Sequence, residues 1–381
     1  MDSIKEFERD LAYYFSDAFE RPYAKPQWIY ISLSHRCTYS CQMCGVVKIL
    51  KGHELRKELI VRTFDEIAGW QSDSTVVLTG GEPFLRKDIF EIIAHAAQNF
   101  LKIEAVSNGS LIEQALADQI IASGLSNIAI SLDGAREETH DNIRQKGAFK
   151  KALKALEYLV AAKKKNGGGP QISVWTTIMK ENVRELSDII PLARGLGVEC
   201  LVYHPVIVAQ DDMQNTSRHA PFWIRAETLG LLKQQLDKIV AYQNRNGLVA
   251  FLHDPYLWIK YFEGALTKKE WKCNPFVFLN IGPDAQVRSC GAAFGSLHTM
   301  GLGECLRTPE ASEARRVMKA CPKPCLQTCW ARPESDSLQD IVERFIAGIH
   351  QSGLASDEKK NVLLEAHALV IGYQDAPEKL T

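Results

Sequence analysis

The strongest constraint on the fold is a sixfold alternation of short apolar runs and longer amphipathic stretches between residues 28 and 208. Apolar runs bounded by turn residues predict buried strands, and the stretches between them have helical spacing. Repeated strand–helix units indicate a parallel sheet. The six predicted strands are Trp28–Leu33, Thr75–Thr79, Ile103–Val106, Asn127–Leu132, Ile172–Met179 and Cys200–Val208.

Helices are predicted between these strands and beyond them. Periodicity alone does not distinguish a partial barrel from an open doubly wound sheet, but both folds place functional residues at the carboxyl ends of the strands. After residue 250 the alternation ends, and only two short strand-like pieces precede a helical C-terminal segment. The predicted helices are Thr63–Trp70, Asp88–Phe100, Ile112–Ser123, Gly147–Lys165, Val183–Leu196 and Ala226–Asn246, and the two late pieces are Phe276–Ile281 and Ala285–Arg288.

Composition narrows the function classes. The 45 Lys and Arg residues nearly balance 46 Asp and Glu residues, so the chain lacks the broad positive field that nucleic-acid binding uses. The first residues have no signal-peptide character. The most apolar late stretch, Val362–Tyr373, contains Glu365 and His367 and is too short to span a bilayer. We therefore expect a soluble, cytoplasmic protein with neither a nucleic-acid nor a membrane partner.

Ten cysteines are distributed unevenly along the chain. In a reducing compartment they are not expected to form disulfides. Cys37, Cys41 and Cys44 follow the first predicted strand, and six more lie between residues 251 and 335. Such close spacing indicates metal ligation. Three thiolates suit an iron–sulfur cluster with one open iron, or a zinc ion for which His35 supplies the fourth ligand.

Loops after the next strands strengthen this interpretation. Gly80-Gly81-Glu82-Pro83 follows the second strand, Ser107-Asn108-Gly109 the third, and Ser131-Leu132-Asp133-Gly134 the fourth; His140-Asp141-Asn142-Ile143-Arg144 then precedes Gly147-Ala148-Phe149. Together with Cys37-x3-Cys41-x2-Cys44, these motifs resemble the radical SAM (S-adenosylmethionine) superfamily over about residues 25–210. One departure is Met43, which stands where the family often has an aromatic residue before the third cysteine.

The resemblance implies a partial (β/α)6 TIM-like barrel whose three cysteines hold a 4Fe-4S cluster, with SAM chelating the open iron. It implies reductive cleavage of SAM to a 5′-deoxyadenosyl radical, which abstracts hydrogen from a substrate C–H bond. The implied contacts to SAM are Gly80, Gly81 and Glu82 for the amino group, Arg144 or Ser131 for the carboxylate, Ser107 and Asp133 for the sugar or nearby atoms, and Met43 and Gly45 for the adenine.

The later cysteines resemble the SPASM and twitch extensions of radical SAM enzymes. Cys273 and Cys290 flank a predicted hairpin, and two of Cys321, Cys325 and Cys329 would complete one auxiliary 4Fe-4S cluster, with the last two slightly preferred. A four-cysteine zinc site is the competing interpretation. The expected division is a helical extension (1–24), a radical SAM core (25–250), an auxiliary cluster domain covering the barrel mouth (251–335) and a C-terminal helical segment (336–381).

The substrate is the least determined feature. We expect oxidation, epimerisation or decarboxylation of a small metabolite or sugar, because only about 25 residues precede the first strand; maturation of a ribosomal peptide is the alternative. Tyr203 and His204 are candidate substrate contacts, and Cys305 or Cys200 a candidate hydrogen donor if not simply buried. A flavodoxin or ferredoxin is the expected reductant. A zinc-binding module, or an electron carrier without SAM chemistry, would leave the glycine loop without a role.

Overall fold

The computed structural model describes residues 2–45, 53–70, 72–207, 221–251, 254–268, 270–271, 273–321, 326, 337–352 and 354–374. The strands of these residues are β1 Trp28–Ser32, β2 Thr75–Thr79, β3 Lys102–Ser107, β4 Asn127–Ser131, β5 Gln171–Ile178, β6 Cys200–Pro205, β7 Val249–Ala250, β8 Phe278–Ile281, β9 Gln286–Ser289 and β10 Ala292–Ser296. The helices are α1 Asp2–Phe19, α2 Lys57–Gly69, α3 Ile89–Gln98, α4 Gln114–Ala122, α5 Glu137–Ile143, α6 Ala148–Asn166, α7 Ile189–Gly195, α8 Ala226–Asn246, α9 Leu257–Glu263, α10 Leu302–Cys305, α11 Pro309–Ala320, α12 Leu338–Gln351 and α13 Ser356–Gln374.

All the described strands belong to one sheet, in the order β10-β9-β8-β1-β2-β3-β4-β5-β6-β7. Every neighbouring pair from β8 to β7 is parallel. Because β1 to β6 lie side by side in chain order, all right-handed crossovers place their helices on the same face of the sheet. A doubly wound sheet instead reverses its strand order at a switch point. The partial barrel predicted from the sequence is therefore confirmed.

The strands of the barrel are buried on the face that carries the helices. In β1, Ile29 and Ile31 are fully buried in the main core, which also contains Ile60 of α2 and Ile92 of α3. The intervening Tyr30 faces the other side of the sheet, where its ring lies 5.0 Å from that of Phe278 in β8. This alternation leaves the inner side of the sheet, and above all the ends of its strands, for a site.

The observed elements differ from the predicted ones mainly in one helix. The stretch predicted as helical from Val183 begins instead with turns, and α7 starts only at Ile189. The side chain of Asn182 explains the delay: its Oδ1 accepts from Met179 N–H at 2.9 Å, and its Nδ2 donates to Thr177 O at 2.7 Å. The helix predicted at Thr63–Trp70 starts earlier, at Lys57, and strand ends shift by one to three residues.

The segment after residue 251 extends the sheet of the barrel at its β1 edge. Strand β8 pairs in parallel with β1, with Phe278 opposite Trp28, and β9 and β10 continue outwards in antiparallel fashion. An unpaired edge strand exposes backbone donors and acceptors, and β8 satisfies those of β1. The expectation that this segment covers the barrel mouth is thus wrong for its described strands, which lie beside the barrel.

The two terminal helical segments pack together. The rings of Phe7 in α1 and Phe345 in α12 stack 4.2 Å apart, and those of Phe15 and Tyr373 of α13 stack 5.3 Å apart. These residues form a small apolar cluster separate from the barrel core. Among the described helices, none is both long enough and apolar enough to cross a bilayer.

Candidate active site

Three thiols converge at the carboxyl end of β1. Cys37, Cys41 and Cys44 line one cavity of about 350 Å³, a size typical of small-molecule sites. In the described part of the chain, no three His, Cys, Asp or Glu side chains are spaced to hold a single metal ion. His35, the predicted fourth zinc ligand, does not line the cavity. A shared cavity wall is the arrangement that a multi-iron cluster requires.

Burial keeps these thiols protonated when no metal is bound. It raises the pKa of Cys41 to about 11, although the Arg144 guanidinium acts in the opposite direction. It also raises the pKa of Cys37, and the neighbouring thiols add to both shifts. Metal binding deprotonates cysteine, so a cationic metal centre stabilises what the empty cavity disfavours. The donor set therefore fits an iron–sulfur cluster.

The loop after β2 packs directly on the cysteine loop. Gly81 N–H donates to Ser34 O at 2.7 Å, and Glu82 N–H donates to Arg36 O at 2.8 Å. A Cβ on Gly81 would lie 1.9 Å from Arg36 O, and a Cβ on Gly80, whose φ is +116°, would lie 2.5 Å from Ser34 O. Only glycine permits this contact between loops. Both glycines also line the cavity.

Glu82 ties two loops together. The residue is 2% exposed, and its carboxylate accepts from Ser107 Oγ at 2.9 Å, Asn108 N–H at 2.9 Å and Phe84 N–H at 3.3 Å. Burial raises the pKa of Glu82 to about 7, and these hydrogen bonds oppose the shift. The carboxylate does not line the cavity. This placement contradicts the predicted contact with a ligand amino group.

The end of β3 supplies two polar residues to the cavity. Ser107 was expected there, but Asn108 was missed. The amide of Asn108 donates to Thr38 Oγ1 at 3.0 Å and to Cys37 Sγ at 3.5 Å, and its Oδ1 accepts from Ser110 N–H at 2.8 Å. Its position directly after a strand is a signal that sequence reasoning had, but strand position alone does not show which residue meets a thiol.

Arg144 reaches the cavity because Asp133 holds it. Asp133 is fully buried; its Oδ2 accepts from Arg144 Nε at 2.6 Å and its Oδ1 from Thr177 N–H at 2.8 Å. The backbone of Asp133 is fixed by His140 Nδ1, which accepts from its N–H at 3.0 Å, and by Asn182 Nδ2, which donates to its carbonyl at 2.8 Å. Arg144 lines the cavity and Asp133 does not, contrary to the predicted sugar contact of Asp133.

Adjacent residues of β6 face opposite sides of the sheet. His204 lines the cavity, and its Nε2 lies 3.0 Å from Thr177 Oγ1. Burial lowers the pKa of His204 to about 4, so the ring is neutral at physiological pH. Tyr203 is fully buried on the helical side, where its hydroxyl donates to Leu186 O at 2.6 Å. Tyr203 is therefore a core residue and not a substrate contact.

Most of the predicted residues meet in this one cavity. Those that line it are Cys37, Met43, Cys41, Cys44, Gly80, Gly81, Ser107, Ser131, Arg144 and His204. Those that do not are Gly45, Glu82, Asp133, Tyr203 and Cys305. Residues that were missed include Tyr39, Thr79, Val106, Asn108, Thr177, Val206 and Ile207. Tyr39 lies inside the cysteine motif, and burial raises its pKa to about 12.

A second group of thiols lies at the opposite end of the barrel strands. Ser289 Oγ donates to Phe278 O at 3.4 Å, and Phe278 pairs with Trp28, the first residue of β1. The next residue, Cys290, is therefore level with the amino end of β1. Burial raises the pKa of Cys290 to about 11, and the nearby thiols of Cys273 and Cys321 add to the shift.

The remaining cysteines divide by position. Cys325 and Cys329 lie outside the described residues. Cys305 is fully buried beneath β10, where a Cβ on Gly295 would lie 2.6 Å from its Sγ. Because it does not reach the cavity, Cys305 is not placed to donate hydrogen to a substrate there. Cys200 is partly exposed at the amino end of β6.

Comparison with known families supports this assignment. Residues 31–193 match the model of the radical SAM superfamily. The chain contains a radical SAM domain. The match begins within β1 and ends within α7, so it includes the cysteine motif, the glycine loop and Arg144.

Curated relatives of this radical SAM domain share part of the chain. An AdoMet-dependent heme synthase of Methanosarcina barkeri is 31% identical over 182 residues, which is 47% of this chain and 50% of that protein. The mycofactocin maturase MftC of Mycolicibacterium smegmatis is 29% identical over 182 residues, 48% of this chain and 45% of that protein. The chain thus spans about half the length of the curated relatives it matches.

Similarity of fold extends further than similarity of sequence. Streptococcus suis SuiB bound to S-adenosylmethionine has a TM-score of 0.61 at 12% identity and covers 79% of this chain and 73% of its own. The anSMEcpe structure with bound AdoMet has a TM-score of 0.62 at 15% identity, with 90% and 100% covered. At such low identity the likeness establishes the fold, including much of the chain after the radical SAM domain.

Proposed function

We propose that this protein is a radical SAM enzyme that abstracts hydrogen from an unactivated C–H bond of its substrate. The observation that carries the proposal is the convergence of three thiols, two close-packed glycines and a buried guanidinium on one cavity. A zinc-binding module has no use for the glycines or Arg144 at that place. An electron carrier has no use for a cavity beside its cluster.

Each wall of the cavity has a proposed task. Cys37, Cys41 and Cys44 hold a 4Fe-4S cluster by three of its irons, which leaves one iron open to SAM. The backbone at Gly80 and Gly81 receives the amino group of SAM. When bound and reduced, the cluster supplies one electron that cleaves the sulfonium C–S bond of SAM, giving methionine and a 5′-deoxyadenosyl radical.

The remaining polar groups orient SAM. The guanidinium of Arg144, held by Asp133, offers a charge-assisted hydrogen bond to the SAM carboxylate. Ser131 and Ser107 offer hydroxyls at the ends of the neighbouring strands, and Met43 packs against the adenine. Because Arg144 already lies at the cavity wall before any ligand binds, little of its freedom is lost on binding.

The far wall suits a reacting substrate. Val106, Val206 and Ile207 are apolar and exclude water from the reacting carbon. His204 and Thr177 add a neutral hydrogen-bonding pair on the same wall. A neutral imidazole at this position orients a hydroxyl or amide of the substrate without adding charge.

We propose that Cys273, Cys290 and Cys321 belong to an auxiliary 4Fe-4S site. Cys290 has a φ of +49°, a conformation that non-glycine residues rarely adopt and that is often retained for a function. The four steps of strand from Trp28 to Ser32 place about 13 Å between the level of Cys290 and the end of β1 that carries the cavity. At that separation the auxiliary site exchanges electrons with the cavity and does not bind the substrate. The fourth ligand is expected from Cys325 or Cys329.

For the substrate, a small metabolite or sugar stays our first candidate, with oxidation, epimerisation or decarboxylation as the outcome. A peptide is the second candidate, favoured by the resemblance to a mycofactocin maturase and by the likeness in fold to SuiB, known in complex with the precursor peptide SuiA. A flavodoxin or ferredoxin is the proposed electron donor. Because reduced clusters need a reducing compartment, we also propose a cytoplasmic location.

Anaerobic reconstitution tests the core proposal. The purified chain is expected to turn brown, to hold about eight irons as two four-iron clusters, and to form 5′-deoxyadenosine from SAM under dithionite. The Cys41→Ala variant is expected to lose this cleavage. Cys200→Ala is the matched control, since Cys200 lies outside both thiol groups, and it is expected to retain both iron and cleavage.

Two results would contradict the proposal. Colourless protein with stoichiometric zinc would indicate a zinc module, and brown protein that leaves SAM intact would indicate an electron carrier. To separate the substrate classes, deuterated metabolites and deuterated peptides are incubated with the active enzyme. Transfer of deuterium into 5′-deoxyadenosine from one class and not the other identifies it.

A further inference from the structure

Tyr39 carries a buried hydroxyl without a partner. The residue is 4% exposed and lines the cavity between Cys37 and Cys41. Its Oη has no hydrogen-bond partner among the described residues. An unpaired buried hydroxyl costs about 1–3 kcal/mol, so an acceptor is expected when the site is complete. The ring packs in one apolar cluster with Cys41, and Cys37 and Cys44 lie beside it.

Asn108 presents a second donor to the same thiols. Its side chain is held at one end, because Oδ1 accepts from Ser110 N–H at 2.8 Å. The amide nitrogen at the other end lies 3.5 Å from Cys37 Sγ, a normal distance for a hydrogen bond to sulfur, and 3.0 Å from Thr38 Oγ1. The orientation of the amide is thus set by its neighbours, with the donor end towards the sulfur.

We propose that Tyr39 and Asn108 donate hydrogen bonds to sulfur atoms of the cluster held by Cys37, Cys41 and Cys44 and thereby raise its reduction potential. The inference rests on the proposed function. Reduction adds negative charge to the cluster and its sulfurs, so a nearby donor stabilises the reduced form more than the oxidised form. Tyr39 and Asn108 are positioning residues in this account, since neither is a ligand of iron.

The test uses the reconstituted full chain and the variants Tyr39→Phe and Asn108→Leu. A redox titration followed by electron paramagnetic resonance reports the cluster whose signal changes when SAM is added. Tyr39→Phe is expected to lower the ratio of reduced to oxidised cluster at a fixed potential about tenfold, a shift of about 59 mV for one electron. Asn108→Leu is expected to shift the ratio in the same direction.

Tyr203→Phe is the matched control. It removes the same atom from a buried tyrosine, but the lost hydrogen bond is to Leu186 O, on the helical side of the sheet. Its cluster is expected to keep the potential of the unmodified chain. An equal shift in this control would attribute the effect to general loosening of the fold and overturn the proposal.

A second readout does not depend on the variants loading a cluster. In D2O, pulsed resonance spectra of the unmodified protein are expected to show exchangeable deuterons coupled to the cluster. Absence of such coupling, or unchanged potentials in both variants, overturns the inference while the proposed function stands. A reconstituted chain without a SAM-responsive cluster overturns the proposed function itself, so the two failures are distinguishable.

Discussion

Replacing Gly81 with alanine tests the contact between the glycine loop and the cysteine loop. The added Cβ would lie 1.9 Å from Arg36 O and 2.5 Å from Arg36 C, and ordinary contact begins at 3.4 Å. The two loops must therefore separate by about 1.5 Å. Both partners are backbone, so no side-chain rotation relieves the overlap.

The cost follows from the contacts that separation breaks. Gly81 N–H to Ser34 O and Glu82 N–H to Arg36 O are lost, at about 0.5–1.5 kcal/mol each. Residual overpacking adds about 1–3 kcal/mol. We expect the free energy of unfolding to fall by about 2–6 kcal/mol, and cluster loading to fall with it, because Cys37 directly follows the displaced Arg36.

Urea denaturation and iron analysis after reconstitution measure the two effects. Gly230→Ala is the control, because Gly230 lies inside α8 with no atom within 4 Å of its would-be Cβ. That variant is expected to be about 0.5–1 kcal/mol more stable than the unmodified chain. If Gly81→Ala keeps normal stability and iron content, the loops are not packed as described and our account of the glycines fails.

Three further predictions concern the polar network and the second thiol group. Asp133→Asn removes the charge that holds Arg144, so we expect SAM affinity measured by calorimetry to fall about tenfold or more with iron content unchanged; equal affinity would contradict the positioning of Arg144. Burial lowers the pKa of His140 to about 4, below its ordinary value of about 6.5. The unfolded chain therefore binds a proton between these values that the folded chain does not, and stability is expected to fall as pH drops from 6.5 towards 4. His140→Gln is expected to lessen that slope in urea titrations at several pH values, and an unchanged slope would refute the assignment. Cys290→Ala is expected to lose about four irons yet still cleave SAM, whereas loss of cleavage would place Cys290 in the SAM site.

The sequence by itself determined the order of the elements and the chemistry of the cysteine loop. Strand–helix alternation is a local pattern, and a parallel sheet buried under helices needs apolar runs at regular intervals, so β2 and α8 match their predicted bounds. Close spacing of Cys37, Cys41 and Cys44 likewise brings thiols together whatever the fold, because seven intervening bonds of chain cannot separate them far.

Only the tertiary structure decided which polar residues face the cavity. Glu82 and Asp133 follow strands as Ser107 and Ser131 do, but their carboxylates are taken up by neighbouring loops, and a sequence does not show such long-range partners. The strand order that makes the sheet a barrel, and the pairing of β8 with β1 that moves the second thiol group to the far end, are also contacts between distant residues. Local propensity fixes elements, whereas the choice of neighbours depends on burial and hydrogen-bond satisfaction across the whole chain.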